Sequence, residues 1–153
     1  MIKMGGRGNS SGRGGGGGGN IKLPKLIGSE KQVKWATDIR DNYAKKLGEA
    51  ERRLKKIVSS GSIKGESESE RKATEFIGMY HPKASYNQVR NEMKSGNLFK
   101  AYMATKSGTP ERKTAGKKFR SAVAKESLKR LKKESTEKLK EKNASKWIDQ
   151  RPR

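Results

Sequence analysis

Residues 23–47, LPKLIGSEKQVKWATDIRDNYAKKL, decide how the chain is read. Ser29 followed three residues later by Gln32 is the reciprocal capping pattern that satisfies two orphan amides at a helix start, and Glu30 places an acid in the first turn. Behind the cap Ala36, Ile39, Tyr43 and Leu47 recur at helical spacing, with Val33 and Trp35 flanking the stripe. Ala50, Leu54 and Ile57 continue that face, which predicts a helix to about Val58 that tolerates Gly48 at a cost of about 1 kcal/mol. The lead-in IKLPKLIG, residues 21–28, offers Leu23, Leu26 and Ile27 to fold back on the helix, and Pro24 favours an extended backbone before it. Trp35 is expected to pack against the core or a neighbouring helix rather than to serve as a stacking platform.

A second organising stretch begins at Thr109-Pro110-Glu111, an N-cap, a proline at the first helical position and an acid in the first turn. Ala115, Phe119, Ala122, Val123, Leu128, Leu131 and Leu139 follow at helical spacing, and the pattern thins after Leu131. From 109 to 153 there are 16 basic and 6 acidic residues, so this helix is strongly positive. Its densest part holds Lys113, Lys117, Lys118, Arg120, Lys125, Lys129, Arg130, Lys132 and Lys133. Trp147 and Ile148 near the C-terminus are placed either to dock on the core or to bind a partner.

Between the two stretches the punctuation is turn-like. SSGSIKGESESE, residues 59–70, reads as an internal linker. A short helix with Ala73, Phe76, Ile77 and Tyr80 on one face should stop at His81-Pro82, leaving His81 at the surface or at a helix C-terminus. Ser85 with Gln88 caps a further segment carrying Tyr86, Val89 and Met93. SGN at 95–97 is a turn, and Leu98, Phe99, Tyr102 and Met103 form an apolar patch before the second long helix. These short segments are expected to pack with the first helix. Residues 1–20 hold ten glycines together with Lys3, Arg7 and Arg13, so ordering them would bury little and cost much backbone entropy. The expected architecture is therefore all-α: a disordered Gly/Arg arm over 1–20, a helical core over 21–107, and a basic helical region over 108–153.

Composition narrows the chemistry. The 153 residues contain 38 Lys and Arg against 16 Asp and Glu, a formal charge of +22, and only 29% hydrophobic residues. Such a charge repels itself in a compact state and attracts polyanions at long range. With no cysteine and the single histidine His81, there is no thiolate nucleophile, no sulfur-ligated metal and no histidine-based triad. The glycine tract lacks a following GKS or GKT and does not follow a strand, so it is not a phosphate loop. A non-enzymatic protein without cofactor or metal is expected. The N-terminus lacks the apolar core of a signal peptide and no apolar run could span a membrane, which makes cytoplasm the expected location.

The segment from Leu23 to Arg40 resembles an LPxLxGSEKQxxWAxxIR string found in small proteins of bacteria, phages and mobile elements. It is carried here by Leu23, Pro24, Leu26, Gly28, Ser29, Glu30, Lys31, Gln32, Trp35, Ala36, Ile39 and Arg40, about an eighth of the chain. The resemblance brings no assigned activity. It implies an accessory or defence-related protein, a setting in which some small proteins inhibit host CRISPR–Cas nucleases. Inhibitors that mimic DNA are acidic, so a basic one would act otherwise.

Two functions are expected from these readings. The first is binding of nucleic acid, RNA or DNA, or of a ribonucleoprotein, through phosphate contacts by Lys113, Lys117, Lys118, Arg120, Lys125, Lys129, Arg130, Lys132 and Lys133, assisted by Lys31, Lys34 and Arg40. The second is an anti-CRISPR-like inhibitor that binds a nuclease or its guide-RNA complex, with Trp147 and Ile148 as partner contacts. A structural role in a phage particle or a ribosome-associated complex is a third.

Overall fold

A computed structural model describes residues 23–152, and the expected Gly/Arg arm over 1–20 lies outside them. The described residues form six α-helices and no strand. They are α1 Glu30–Ser60, α2 Glu68–Tyr80, α3 Tyr86–Met93, α4 Asn97–Ala104, α5 Pro110–Leu139 and α6 Ala144–Asp149, with a single 3-10 turn at Pro82–Ala84 between α2 and α3. The long helices α1 and α5 are each about 45 Å in length and run antiparallel, packed along their length.

The start of α1 follows its sequence signals. Ser29 Oγ accepts from the Gln32 amide at 3.2 Å, and Gln32 Oε1 accepts from the Ser29 amide at 3.1 Å. Leu26 of the lead-in is buried, and Arg40 Nη1 donates to the Pro24 carbonyl at 2.7 Å, which straps the extended segment to α1. Ile27 then pairs with the other end of the chain: its amide donates to the Lys142 carbonyl at 2.7 Å, and its carbonyl accepts from the Ala144 amide at 2.9 Å. A side chain at Gly28 would bring a Cβ to 3.1 Å from Ala144 Cβ, so the close approach favours glycine there.

The connection over 59–70 is more ordered than a free linker. Helix α1 runs through Ser60, and Gly61 ends it at φ 67°, its amide bonding the Ile57 carbonyl. A Cβ on Gly61 would lie 2.8 Å from the Lys117 carbonyl oxygen and 2.9 Å from its Cα, so α1 ends against the α5 backbone. Arg120 Nε closes this junction by donating to the Gly61 carbonyl at 2.6 Å. Arg53, buried in α1, binds the Ile63 and Lys64 carbonyls and pairs with Glu66 at 3.4 Å. Ser67 and Glu70 form a second capping box at the start of α2, and Lys56 Nζ meets the buried Glu70 carboxylate at 2.8 Å.

The buried positions of α5 are Gly116, Phe119, Val123, Ala124, Ser127, Leu131, Ser135 and Leu139. Most are four residues apart, and since four residues overshoot one helical turn, the seam winds around the helix. Its first half meets α3 and α4, where Phe119 and Val123 form a small cluster with Val89, covered by Tyr86, Met93, Phe99 and Tyr102. Its second half meets α1, where Leu131 and Leu139 join Ala36, Tyr43, Leu47, Leu54 and Ile57. The sequence pattern thins after Leu131 because the seam there is carried by Ser135 and Leu139 rather than by a full apolar stripe.

Two expectations are corrected here. The apolar patch of Leu98, Phe99, Tyr102 and Met103 is helix α4, and it packs on α5. The division at 107/108 is not a division of the core, since Ala124, Leu131, Leu139, Ala144, Trp147 and Ile148 share one cluster with residues of α1. The Gly61 junction yields a direct test. A Gly61→Ala substitution forces both a positive φ and a clash with backbone, so urea unfolding should show a loss of roughly 2 kcal/mol or more. A Gly78→Ala control, with nothing near its position, should be neutral or stabilising.

Candidate functional site

Seen down the axis of α5, the seam occupies one side and leaves a sector about 100° wide facing outward. That sector holds Thr114, Ala115, Lys118, Ala122, Lys125, Lys129, Lys132, Lys133 and Thr136, placed there by helical spacing. The five lysines are all exposed, and none makes an ion pair with a described residue. They span about 22 Å along the helix. The side chains between them are short, so the lysines stand proud of a narrow ridge. Lys132 sits at the edge nearest α1, where its charge acts on the buried Glu51 carboxyl.

Three of the four acids of α5, Glu126, Glu134 and Glu137, lie outside the ridge sector by helical spacing. Glu126 pairs with Arg130 at 3.0 Å, and Glu134 meets His81 at 3.3 Å. Only Glu111, in the first turn, lies in the outward sector. The outer face of α1 is different, because its exposed Lys34, Lys45 and Arg52 alternate with exposed Asp38 and Asp41.

The structure thus sorts the basic residues expected to bind a polyanion. Lys118, Lys125, Lys129, Lys132 and Lys133 share the ridge. Lys113 and Lys117 are exposed but lie off the ridge on other sides of α5, Lys117 beside the Gly61 turn. Lys31 and Lys34 are exposed in the first turns of α1, at the end where residues 27 and 143 pair. The arginines are engaged within the fold: Arg40 on the Pro24 carbonyl, Arg120 on the Gly61 carbonyl, and Arg130 in a fork with Glu92 at 2.8 Å and Glu126. The Arg130 and Gln88 hydrogen bonds hold the Glu92 carboxyl down at about 2.

Trp147 and Ile148 dock on the core, which removes them as partner contacts in this state. Trp147 is 0% exposed, its ring edge-on to Tyr43 at 5.4 Å and its Nε1 donating to the Glu141 carbonyl at 3.0 Å. Lys138 Nζ lies 4.5 Å above that ring, and burial lowers the lysine's pKa. Trp35 is the reverse correction. It is 49% exposed with the Arg151 guanidinium 4.7 Å over its ring, because only its neighbour Ala36 points fully inward.

Sequence reading missed one buried polar chain. His81 is not at the surface but enclosed where α2 ends, within 2.6 Å of Tyr43 Oη through Nε2 and 3.3 Å of Glu134 through Nδ1. A carboxylate only accepts, so Nδ1 carries the proton and Nε2 accepts from the tyrosine hydroxyl. Burial pushes the Tyr43 hydroxyl up and holds His81 below its ordinary pKa, against the opposing pull of Glu134. No sequence spacing announces this contact, whose three members lie on three different helices or their ends. Among the described residues no three His, Asp or Glu side chains are grouped to hold a metal ion.

An open groove of about 500 Å³ lies beside the first turns of α5, lined by Leu98, Ala101, Pro110, Ala115 and Lys118 among others. Among the described residues no helix is long and apolar enough to cross a membrane.

The His81 contact makes stability depend on pH in a known direction. Burial makes folded His81 take up its proton at lower pH than the unfolded chain, which protonates below about pH 6.5. The stability tied to the neutral ring is therefore present above that pH and is lost as pH falls below it. A His81→Gln variant should be less stable at neutral pH by about 1 kcal/mol and should lose less than the parent between about pH 7 and pH 5, as read from urea midpoints.

Comparison of the chain with protein-family models, with curated proteins and with solved structures finds no match to any of them.

Proposed function

We propose that the chain binds nucleic acid without catalysing a reaction on it, through the lysine ridge of α5. The observation that carries this reading is the one-sided distribution of charge. Five lysines with no ion-pair partner among the described residues stand on one helix face about 22 Å long, while Glu126 and Glu134 of the same helix lie outside that face and are engaged by Arg130 and His81. Leaving unpaired lysines side by side costs the fold electrostatic energy, so a neutralising partner is the natural complement. A lysine is a compact cation on a flexible stem, suited to phosphate oxygens and carrying little sequence information.

A second reading, a protein-binding inhibitor of a CRISPR–Cas nuclease or its guide-RNA complex, is favoured by the apolar groove at the N-terminal end of the ridge. Leu98 of α4 lines it and is exposed, and protein interfaces concentrate their energy on such anchors. The groove would then supply the anchor and the ridge the attraction to an acidic or RNA-laden surface.

The two readings respond differently to salt. With about five phosphates neutralised, the logarithm of the association constant should fall with the logarithm of salt at a slope of about −4.5, a loss of roughly 500-fold between about 50 and 200 mM. Replacing Lys125 and Lys129 by Gln should flatten the slope by about 1.8 and leave the far-UV helix signal unchanged. Nucleic-acid binding that is absent at low salt would overturn the first reading. Binding to a nuclease complex abolished by Leu98→Asp and insensitive to Lys125→Gln would establish the second in its place.

A further inference from the structure

We infer that the ligand of the α5 ridge is double-helical DNA taken along its major groove, in preference to a single strand or an RNA duplex. This inference rests on the ridge being a nucleic-acid site, and it follows from the shape and composition of the outward sector.

Helix α5 packs against α1 and against α3 and α4 on its other sides. The sector turned away from them carries exposed Lys125, Lys129, Lys132 and Lys133 beyond the groove that α4 forms with Thr114, Ala115 and Lys118. A helix with its side chains is about 10–12 Å across, close to the width of the major groove of B-form DNA. The major groove of an RNA duplex is deep and narrow and does not admit such a body. Single strands are held instead in basic grooves whose aromatic rings stack on the bases. The aromatic rings nearest the ridge face the other way: Phe119, Phe99 and Tyr102 pack on one another, with Phe99 at 5.1 Å and Tyr102 at 6.2 Å from Phe119. Exposed Trp35 belongs to α1, and Arg151 already covers one of its faces.

The spacing fits a groove with two charged walls. Lys118, Lys125 and Lys129 follow the centre of the crest, while Lys132 and Lys133 point to its opposite edges, toward phosphates on either strand. The short Ala122 between them, and Thr136 just beyond, let the helix backbone come close to the bases. The crest spans about 22 Å, or roughly six base steps. It carries no Arg, Asn or Gln, the side chains that read guanine and adenine most specifically, so sequence selectivity should be weak.

The test measures full-length protein against four labelled ligands at low salt: a DNA duplex of about 20 base pairs, one of its strands, an RNA duplex of the same sequence, and the DNA duplex with glucosylated hydroxymethylcytosines filling its major groove. The same set is run on the Lys125→Gln/Lys129→Gln variant, so that the difference reports the ridge alone. The expected result is that the ridge contribution to plain DNA duplex exceeds that to each of the other three by about tenfold or more. A strand, an RNA duplex or a groove-filled duplex that matches plain duplex within about threefold overturns the inference and leaves nucleic-acid binding standing. Failure of all four ligands to bind overturns both.

Discussion

The fold depends on one seam, the antiparallel contact between α1 and α5. Tyr43 of α1 ties the neighbouring elements to it, its ring edge-on to Trp147 of α6 and its hydroxyl bonded to His81 at the end of α2. Everything else is arranged to keep that seam in register. Gly61 and Arg120 fix one end of it, and the Ile27–Asn143 bridge fixes the other. For a chain with 29% hydrophobic residues, the seam must come from few side chains packed with care. Aromatic burial of this kind contributes several kcal/mol per ring, which is why so lean a composition can still support two long helices.

That same economy explains the surface. Acidic residues are in short supply, and many of them are engaged inside or along the fold. Glu66 holds Arg53, Glu70 caps α2 and binds Lys56, Glu92 and Glu126 hold Arg130, and Glu134 meets His81. The more exposed of these, Arg130 with Glu92 and Glu126, organise geometry more than they stabilise it. Those with a buried partner, Arg53–Glu66, Lys56–Glu70 and His81–Glu134, hold buried charged or polar groups that would be costly to leave unpaired. Their consequence is a remainder: once they are satisfied, the outer sector of α5 beyond its first turn is left with lysines as its charged residues. The site is thus defined as much by where the acids went as by where the lysines are.

Much of the scaffold was legible in the chain. The caps at Ser29, Ser85 and Thr109 and the apolar stripes of α1 and α5 are local signals, and the helices begin where those residues place them. The capping box at Ser67 was written in SESE but hidden by a turn-like composition. Long-range partners were not legible. Nothing in the spacing around His81 or Arg40 says that one meets Tyr43 and the other a carbonyl sixteen residues earlier. The site was half legible: the lysines stand out by number, whereas separating Lys125 from Arg120 or Arg130 requires knowing which carbonyls and carboxylates the fold brings near. Trp35 departs from its expected setting for the same reason, whereas Trp147 takes the docked one of its two expected settings, covered where α6 packs on α1.

The central claim is that position on α5, rather than total charge, makes this chain bind nucleic acid. It is tested most directly by two variants of equal charge, Lys118→Gln/Lys125→Gln/Lys129→Gln on the ridge and Lys34→Gln/Lys45→Gln/Arg52→Gln on the outer face of α1. Each is titrated with the same DNA duplex over a range of salt. The account predicts that the ridge variant flattens the salt slope by about 2.7 and that the α1 variant changes it by less than about 1. Equal losses in both variants would contradict it, because they would mean that the charge acts as a diffuse whole and that the ridge has no special part.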